Sequence, residues 1–237
     1  MPAYQLPEQL IFPDPEEAEP EGLLAVGGDL SPERLLLAYS MGIFPWYSDE
    51  DPVLWWSPDP RLILEPECLK ISKSLKRIIS KKQFSITMDH DFKTVINRCA
   101  TTKRKDEGTW IVDDMINAYI ELHHKGFAHS VEVWEKEKLA GGLYGVSIGK
   151  IFFGESMFSE TNNASKIALV YLASTLKEWG FSCIDCQIKT EHLISMGACE
   201  ISRHDFLNQL KKTVKEKTRL GKWDLSENLE QRLWESF

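Results

Sequence analysis

The chain has 237 residues, of which 43% are hydrophobic, with 8 Trp and 11 Phe. That apolar mass supports one large domain, or a main domain with a small companion, and excludes a disordered chain. A formal net charge of -8 argues against a general nucleic-acid binder, and no apolar stretch reaches the ~20 residues that a membrane-spanning helix needs.

The amino-terminal stretch MPAYQLPEQLIFPDPEEAEPEGLL is acidic and Pro-rich and lacks the basic-then-apolar pattern of a signal peptide. A soluble, cytoplasmic protein is therefore expected. Ser31-Pro32-Glu33 predicts a helix start, with Ser as N-cap and Pro at the first helical position, running through Tyr39 and stopping near Gly42. The segment FPWYSDEDPVLWWSPDPR that follows holds Phe44, Trp46, Tyr47, Trp55 and Trp56 among prolines. It reads as neither regular helix nor central strand, but as a rigid loop that packs or binds.

Beyond Arg61 the pattern becomes regular. Leu62–Leu64 is a strand candidate, Ser72–Ile79 a basic helix, Phe84–Met88 a strand and Asp91–Cys99 a helix. Asp113–His124 places Ile116, Tyr119, Ile120 and His123 on one side of a helix that ends before Gly126. Three strands then follow, Ala128–Glu135, Lys138–Ile148 and Lys150–Met157, the last two joined at Gly149-Lys150. Asn163 is placed to cap a helix over Ala164–Trp179, closed by Gly180; Phe181–Ile188 is a strand; and Ser202 with Asp205 caps a helix through Lys217. Antiparallel strands, then a helix, a strand and a further helix, describe an α+β fold with a mixed sheet. A small Pro- and Trp-rich domain over residues 1–61 is expected to precede a main domain over residues 62–237.

Charge is sorted along this chain. Eight acidic residues stand against Arg34 alone up to Leu35, whereas Lys70, Lys73, Lys76, Arg77, Lys81, Lys82, Lys93, Arg98, Lys103, Arg104 and Lys105 face only Asp89 and Asp91. Such a patch suits either a solvated helix face or a phosphate backbone. The five cysteines are an odd number in a chain without a secretion signal and are expected to be reduced. Cys183-Ile-Asp-Cys186 has CxxC spacing, but no second pair completes a zinc site and FSCIDCQI reads as a strand, so these are taken as inert buried residues.

Polar residues interrupt two apolar strands. Asp185 and Gln187 share one face of FSCIDCQI, with Cys186 on the other, and Glu155 interrupts FFGESMFS. Burying such groups without partners costs a few kcal/mol, so they either pair structurally or face a cleft, where a carboxylate can orient a proton and a carboxamide can fix it. If the two strands are neighbours, Glu155 and Asp185 can converge on a cationic group. No nucleotide-binding or nucleophile-elbow motif is present, and Gly141-Gly142 with Tyr144-Gly145 reads as close backbone packing.

The segments GLLAVGGDLSPERLLLAYSMGIFPWY, LWWSPDPR, EGTWI, AHSVEVW, GGLYGV, FFGESMFS, NASK, IDCQ and MGACEISR, in that order from Glu21 to Arg203, strongly resemble the bacterial leucyl/phenylalanyl-tRNA–protein transferases. The resemblance implies a small amino-terminal domain followed by a domain like the GCN5-related acetyltransferases. It also implies transfer of Leu, or less readily Phe or Met, from aminoacyl-tRNA to proteins beginning with Arg or Lys, marking them for N-end rule degradation, by a monomer without metal or small cofactor. Asp185 and Gln187 match that family's catalytic pair and Glu155 a position that holds the acceptor. Trp46 and Trp110 match aromatics that stack at the tRNA 3′ adenosine, and Leu143, Phe152, Leu172 and Ile184 match the aminoacyl side-chain pocket. Lys70, Lys73, Lys76, Arg77, Lys81 and Lys82 are the expected tRNA-backbone contacts. Two rival readings are an acetyl-CoA-dependent N-acetyltransferase, whose pyrophosphate loop is not found here, and a non-catalytic RNA- or peptide-binding module, which leaves Asp185, Gln187 and Glu155 unexplained.

Overall fold

The computed structural model describes residues 3–102 and 111–235. Two sheets organise it. The first is built from β1 (Tyr4–Gln5), β2 (Leu23–Val26), β3 (Phe44–Pro45) and β4 (Leu54–Trp56), in the order β1-β2-β4-β3, with helix α1 (Pro32–Ser40) between β2 and β3. Ser31 caps α1 by accepting from the Arg34 N–H, as its sequence predicts. The Pro/Trp segment departs from expectation: Leu54–Trp56 is an inner strand flanked by β2 and β3. Its prolines are compatible because Pro45 lies on the edge strand, where a missing N–H costs nothing. Period two then sorts the aromatics. Trp55 is fully buried and donates to the Gly27 carbonyl, while Trp46 and Trp56 turn outward.

The second sheet has seven strands in the order β11-β5-β10-β9-β8-β7-β6. They are β5 (Arg61–Leu64), β6 (Ser85–Met88), β7 (Ala128–Glu135), β8 (Lys138–Ile148), β9 (Ile151–Ser159), β10 (Cys183–Gln187) and β11 (Cys199–Ile201). Every neighbouring pair is antiparallel except β9 and β10, which are parallel and joined through helix α5 (Ala164–Glu178). This is the mixed α+β sheet that the element order predicts.

Alternation along the strands builds two cores, one on each face. Val131, Val133, Leu143, Phe152 and Ile184 pack with α5, α2 (Lys73–Ser80) and the carboxy-terminal α8 (Leu229–Glu235). Tyr144, Val146, Ile151 and Phe153 face the other way, onto α3 (Phe92–Thr101), α4 (Asp113–His124), α7 (Arg203–Thr213) and the amino-terminal sheet. Gly145 is required where these layers cross, since a Cβ there would meet the Phe153 carbonyl at 2.2 Å and the Phe152 ring at 2.6 Å.

Three local expectations change. Asn163 sits at φ +70° and makes no capping bond; Ser159 of β9 accepts from the Ser165 N–H instead. Helix α7 stops at Thr213 rather than Lys217; the Thr213 carbonyl accepts from the Glu216 N–H and from the Lys150 N–H at the tight β8–β9 turn. A short helix α6 (Glu191–Ser195) and β11 follow β10 where no element was predicted.

The tail is a strap rather than a loose end. Trp223 is 1% exposed, stacks on His129 with ring centroids 3.7 Å apart and donates its backbone N–H to Asp89. That same Asp89 carboxylate binds the His129 ring and accepts from the Ser130 N–H. Among the described residues no helix is long and apolar enough to cross a membrane.

Candidate active site

The pairing of β9 with β10 runs from Cys183 opposite Ile151 to Asp185 opposite Phe153. Beyond that point the strands part, and each carries a bulge. On β9, Gly145 pairs with Gly154 and Tyr144 with Ser156, so Glu155 is the extra residue. On β10, Asp185 pairs with Ile63 and Gln187 with Leu62, leaving Cys186 extra. Bulges re-aim side chains where a ladder ends, and Gln187 takes a positive φ of 63° that a residue of its kind adopts only under constraint.

A cavity of about 580 Å³ opens in this gap and draws its lining from both faces of the sheet. Leu143, Phe152, Leu172 and Ile184, expected to form one apolar pocket, all line it. So do Trp46, Glu155 and Gln187. Trp46 is 38% exposed, and its carbonyl accepts from the Trp56 indole, which fixes an aromatic face at the rim. Trp110 lies outside the described residues, as do Lys103, Arg104 and Lys105 of the basic patch.

Glu155 is the only carboxylate on the cavity wall among the described residues. Its Oε1 accepts from Tyr39 Oη at 2.8 Å and Gln187 Nε2 at 2.9 Å, and its Oε2 from Tyr119 Oη at 2.8 Å. The two tyrosine hydroxyls also lie in contact with each other, but each has one proton, so while both donate to Glu155 neither donates to the other. Burial pushes the Glu155 carboxyl up to about 7, against the three hydrogen bonds that hold it down, and the Asp185 charge adds to the rise. Burial, reinforced by Glu155, raises Tyr39 and Tyr119 well above the ordinary phenol value, so both remain neutral donors.

Asp185 and Gln187 leave β10 on one face, as period two predicts, but their environments differ. Asp185 is fully buried and does not line the cavity. Arg61 grips it with two bonds, Nε to Oδ1 at 2.8 Å and Nη2 to Oδ2 at 2.7 Å, and lies with its guanidinium carbon 4.9 Å and 4.6 Å from the Phe44 and Phe206 ring centres. The bond between Asp185 and Gln187 runs through the Gln187 main-chain N–H, at 3.0 Å. Asp185 therefore fixes the strained Gln187 backbone, and the Gln187 amide is left to reach Glu155. Glu155 and Asp185 do not converge on one cation: Arg61 belongs to Asp185.

Sequence reasoning missed Arg61, Tyr39 and Tyr119. Each carried a signal. An arginine heading an apolar strand needs a buried partner, and a tyrosine on a buried helix face needs one for its hydroxyl.

The basic residues sit on and around α2. Leu75 and Ile79 bury one side of it, while Lys70, Lys73, Arg77, Lys81 and Lys82 are exposed and Lys76 is half-buried. The segment is tied to the cavity rim: the Lys70 N–H donates to the carbonyl of Met196, which ends α6, and His192 and Leu193 of α6 line the cavity. Cys183 is buried and Cys186 half-buried, and burial raises both thiols, to about 12 for Cys183. Among the described residues no cluster of three His, Cys, Asp or Glu side chains is arranged to hold a metal ion.

The sequence profile of leucyl/phenylalanyl-tRNA protein transferase matches residues 63–211, and that of the N-terminal domain of the same enzymes matches residues 28–59. A leucyl/phenylalanyl-tRNA–protein transferase of Anaeromyxobacter sp. (strain Fw109-5) is 56% identical over 226 residues, covering 95% of this chain and 96% of its own. The chain belongs to the leucyl/phenylalanyl-tRNA–protein transferase family. A second such transferase, from Syntrophobacter fumaroxidans, is also 56% identical, over 94% of this chain and 96% of its own. An aminoglycoside acetyltransferase from an uncultured soil metagenomic sample overlaps 61% of this chain and 98% of its own, at 15% identity and a TM-score of 0.36. Within a family named for tRNA-borne leucine and phenylalanine, an apolar cavity beside a single carboxylate is the arrangement that has to be explained.

Proposed function

We propose that this transferase moves Leu, and less readily Phe or Met, from the 3′ ester of aminoacyl-tRNA to the α-amine of proteins that begin with Arg or Lys. In this reading it works as a cytoplasmic monomer and marks its acceptors for N-end rule degradation. The observation that carries the reading is the cavity in the strand gap, apolar along Leu143, Phe152, Leu172 and Ile184 and negative at Glu155. The apolar wall suits an unbranched-at-Cβ aminoacyl side chain, discriminating by roughly 1–3 kcal/mol per methylene. Glu155, buried without a cationic partner among the described residues, suits a positively charged acceptor terminus.

The aminoacyl ester is already activated, so the protein's task is placement, removal of a proton from the amine and support for the developing oxyanion. Trp46 offers a face for the terminal adenine, a stack worth ~1–3 kcal/mol. Trp110 is assigned the same role from the family pattern. Exposed charges on α2, linked to the rim through Lys70 and Met196, are assigned to the phosphates of the acceptor stem. Gln187 and Asp185 act as a unit, the first touching Glu155 and the second holding the first.

The test is transfer of radiolabelled Leu from Leu-tRNA to a protein with amino-terminal Arg, beside a Val-tRNA control and an acceptor that begins with Ala. Label that appears only with Leu-tRNA and the Arg acceptor supports the reading. Absence of transfer by folded protein with intact aminoacyl-tRNA rejects it.

A further inference from the structure

The gap holds two carboxylates within one hydrogen-bond network, and only one of them can meet a substrate. Both oxygens of Asp185 are engaged by Arg61, one of them also by the Gln187 N–H, and the side chain is sealed from the cavity. Protonating it would break a buried ion pair and leave a guanidinium uncompensated. Glu155 is different on each count. It lines the cavity, and its partners Tyr39, Tyr119 and Gln187 are neutral donors that hold the carboxylate without cancelling its charge. A carboxylate offers about four acceptor sites, and these donors leave room for one more N–H, on the Oε2 side.

We propose that Glu155 is the group that takes the proton from the acceptor's α-ammonium, with Tyr39 and Tyr119 as positioning residues for its carboxylate, and that Asp185 has no direct part in that step. The proposal rests on the transferase reading above. The ammonium starts with three N–H bonds. One proton passes to Glu155, and the freed lone pair attacks the ester carbonyl carbon. As the new C–N bond forms and the C–O bond to the tRNA 3′ oxygen breaks, a second proton moves from nitrogen to that oxygen. The third stays on the amide, and Glu155 resets by releasing its proton to solvent. No oxidant, reductant or co-reactant is needed.

The groups facing Glu155 from each packed element are Tyr39 of α1, Tyr119 of α4, Tyr144 of β8, and Gln187 and Asp185 of β10, with Arg61 of β5 behind Asp185. With its carboxyl held at about 7, Glu155 lies close to the 7.7–8.0 of a free α-amine, so the transfer is nearly balanced. Were it an ordinary surface carboxylate near 4.3, the same step would run more than three units uphill.

The experiment is the pH dependence of transfer to an amino-terminal Arg acceptor by wild type, Glu155→Gln and Tyr119→Phe, with Leu-tRNA binding measured in parallel. Wild-type kcat/KM for the acceptor should rise through about pH 7, where Glu155 ionises. In Glu155→Gln, kcat should fall by about 10²–10⁴-fold, and the remaining activity should follow the amine's own titration near 8, with Leu-tRNA binding unchanged. Tyr119→Phe deletes a hydrogen bond that lowers the Glu155 value, so its rise should move to higher pH. Retention of the wild-type limb and kcat in Glu155→Gln, with only KM increased, would make Glu155 a docking charge and overturn the proposal. A Tyr119→Phe limb that stays at 7 or moves to lower pH would overturn it independently. Failure of wild type itself to transfer would instead strike the transferase reading.

Discussion

Replacing Arg61 by Met tests the buried ion pair behind the site. The Arg61 and Asp185 side chains are 1% and 0% exposed, and the pair is joined by two charge-assisted bonds of 2.8 Å and 2.7 Å. Methionine keeps much of the apolar contact with Phe44 and Phe206 but strands the carboxylate. Breaking a buried pair from one side costs about 3–5 kcal/mol. In a chain of this size each kcal/mol moves the melting midpoint by about 2–4 °C, so a fall of about 6–20 °C is expected. The double variant Arg61→Met/Asp185→Leu removes both charges and should recover most of the loss, since an apolar replacement of a whole buried pair is near neutral. Thermal and urea unfolding of the wild type, the two singles and the double form the cycle. A single-variant loss below about 1 kcal/mol, or a double variant as unstable as the sum of the singles, would refute the view that Asp185 is held by one cation. The double should fold yet transfer slowly, because the Gln187 N–H loses its acceptor.

Leu172 tests the cavity wall. Leu172→Phe should fill the pocket and lower kcat/KM for Phe-tRNA relative to Leu-tRNA by about 10-fold or more; an unchanged ratio would remove Leu172 from the pocket. Charge reversal at exposed Lys73 and Arg77 tests the α2 surface. Binding of Leu-, Phe- and Met-tRNA should weaken alike, with the slope of log affinity against log salt flatter by about one unit per lost contact. A change in which aminoacyl group is accepted would show that α2 does more than hold phosphates.

The long elements were legible because one period dominated each. β7 and β8 have the predicted bounds, and α5 begins at the predicted Ala164. Short strands were not: β3 and β4 are two and three residues long and lie among prolines, so no alternation could accumulate. The candidate site divides the same way. Leu143, Phe152, Glu155, Leu172, Ile184 and Gln187 share one cavity; the polar breaks in two strands singled out Glu155 and Gln187, whereas the four apolar residues were expected there from the family resemblance alone. What stayed hidden was long-range. Arg61 is 124 residues from Asp185, and Tyr39 is 116 from Glu155. No local pattern links residues so far apart; only the fold does. The two bulges, which decide where the strands separate, leave no mark in hydrophobic periodicity either.

One carboxylate, Asp89, joins three stretches of chain: its own turn, the start of β7 and the tail at Trp223. The last of these lies 134 residues away, so that contact closes a large loop. A nascent chain can pair all seven strands once Ile201 has been made, yet the Asp89 carboxylate and the His129 ring stay uncovered until Trp223 arrives.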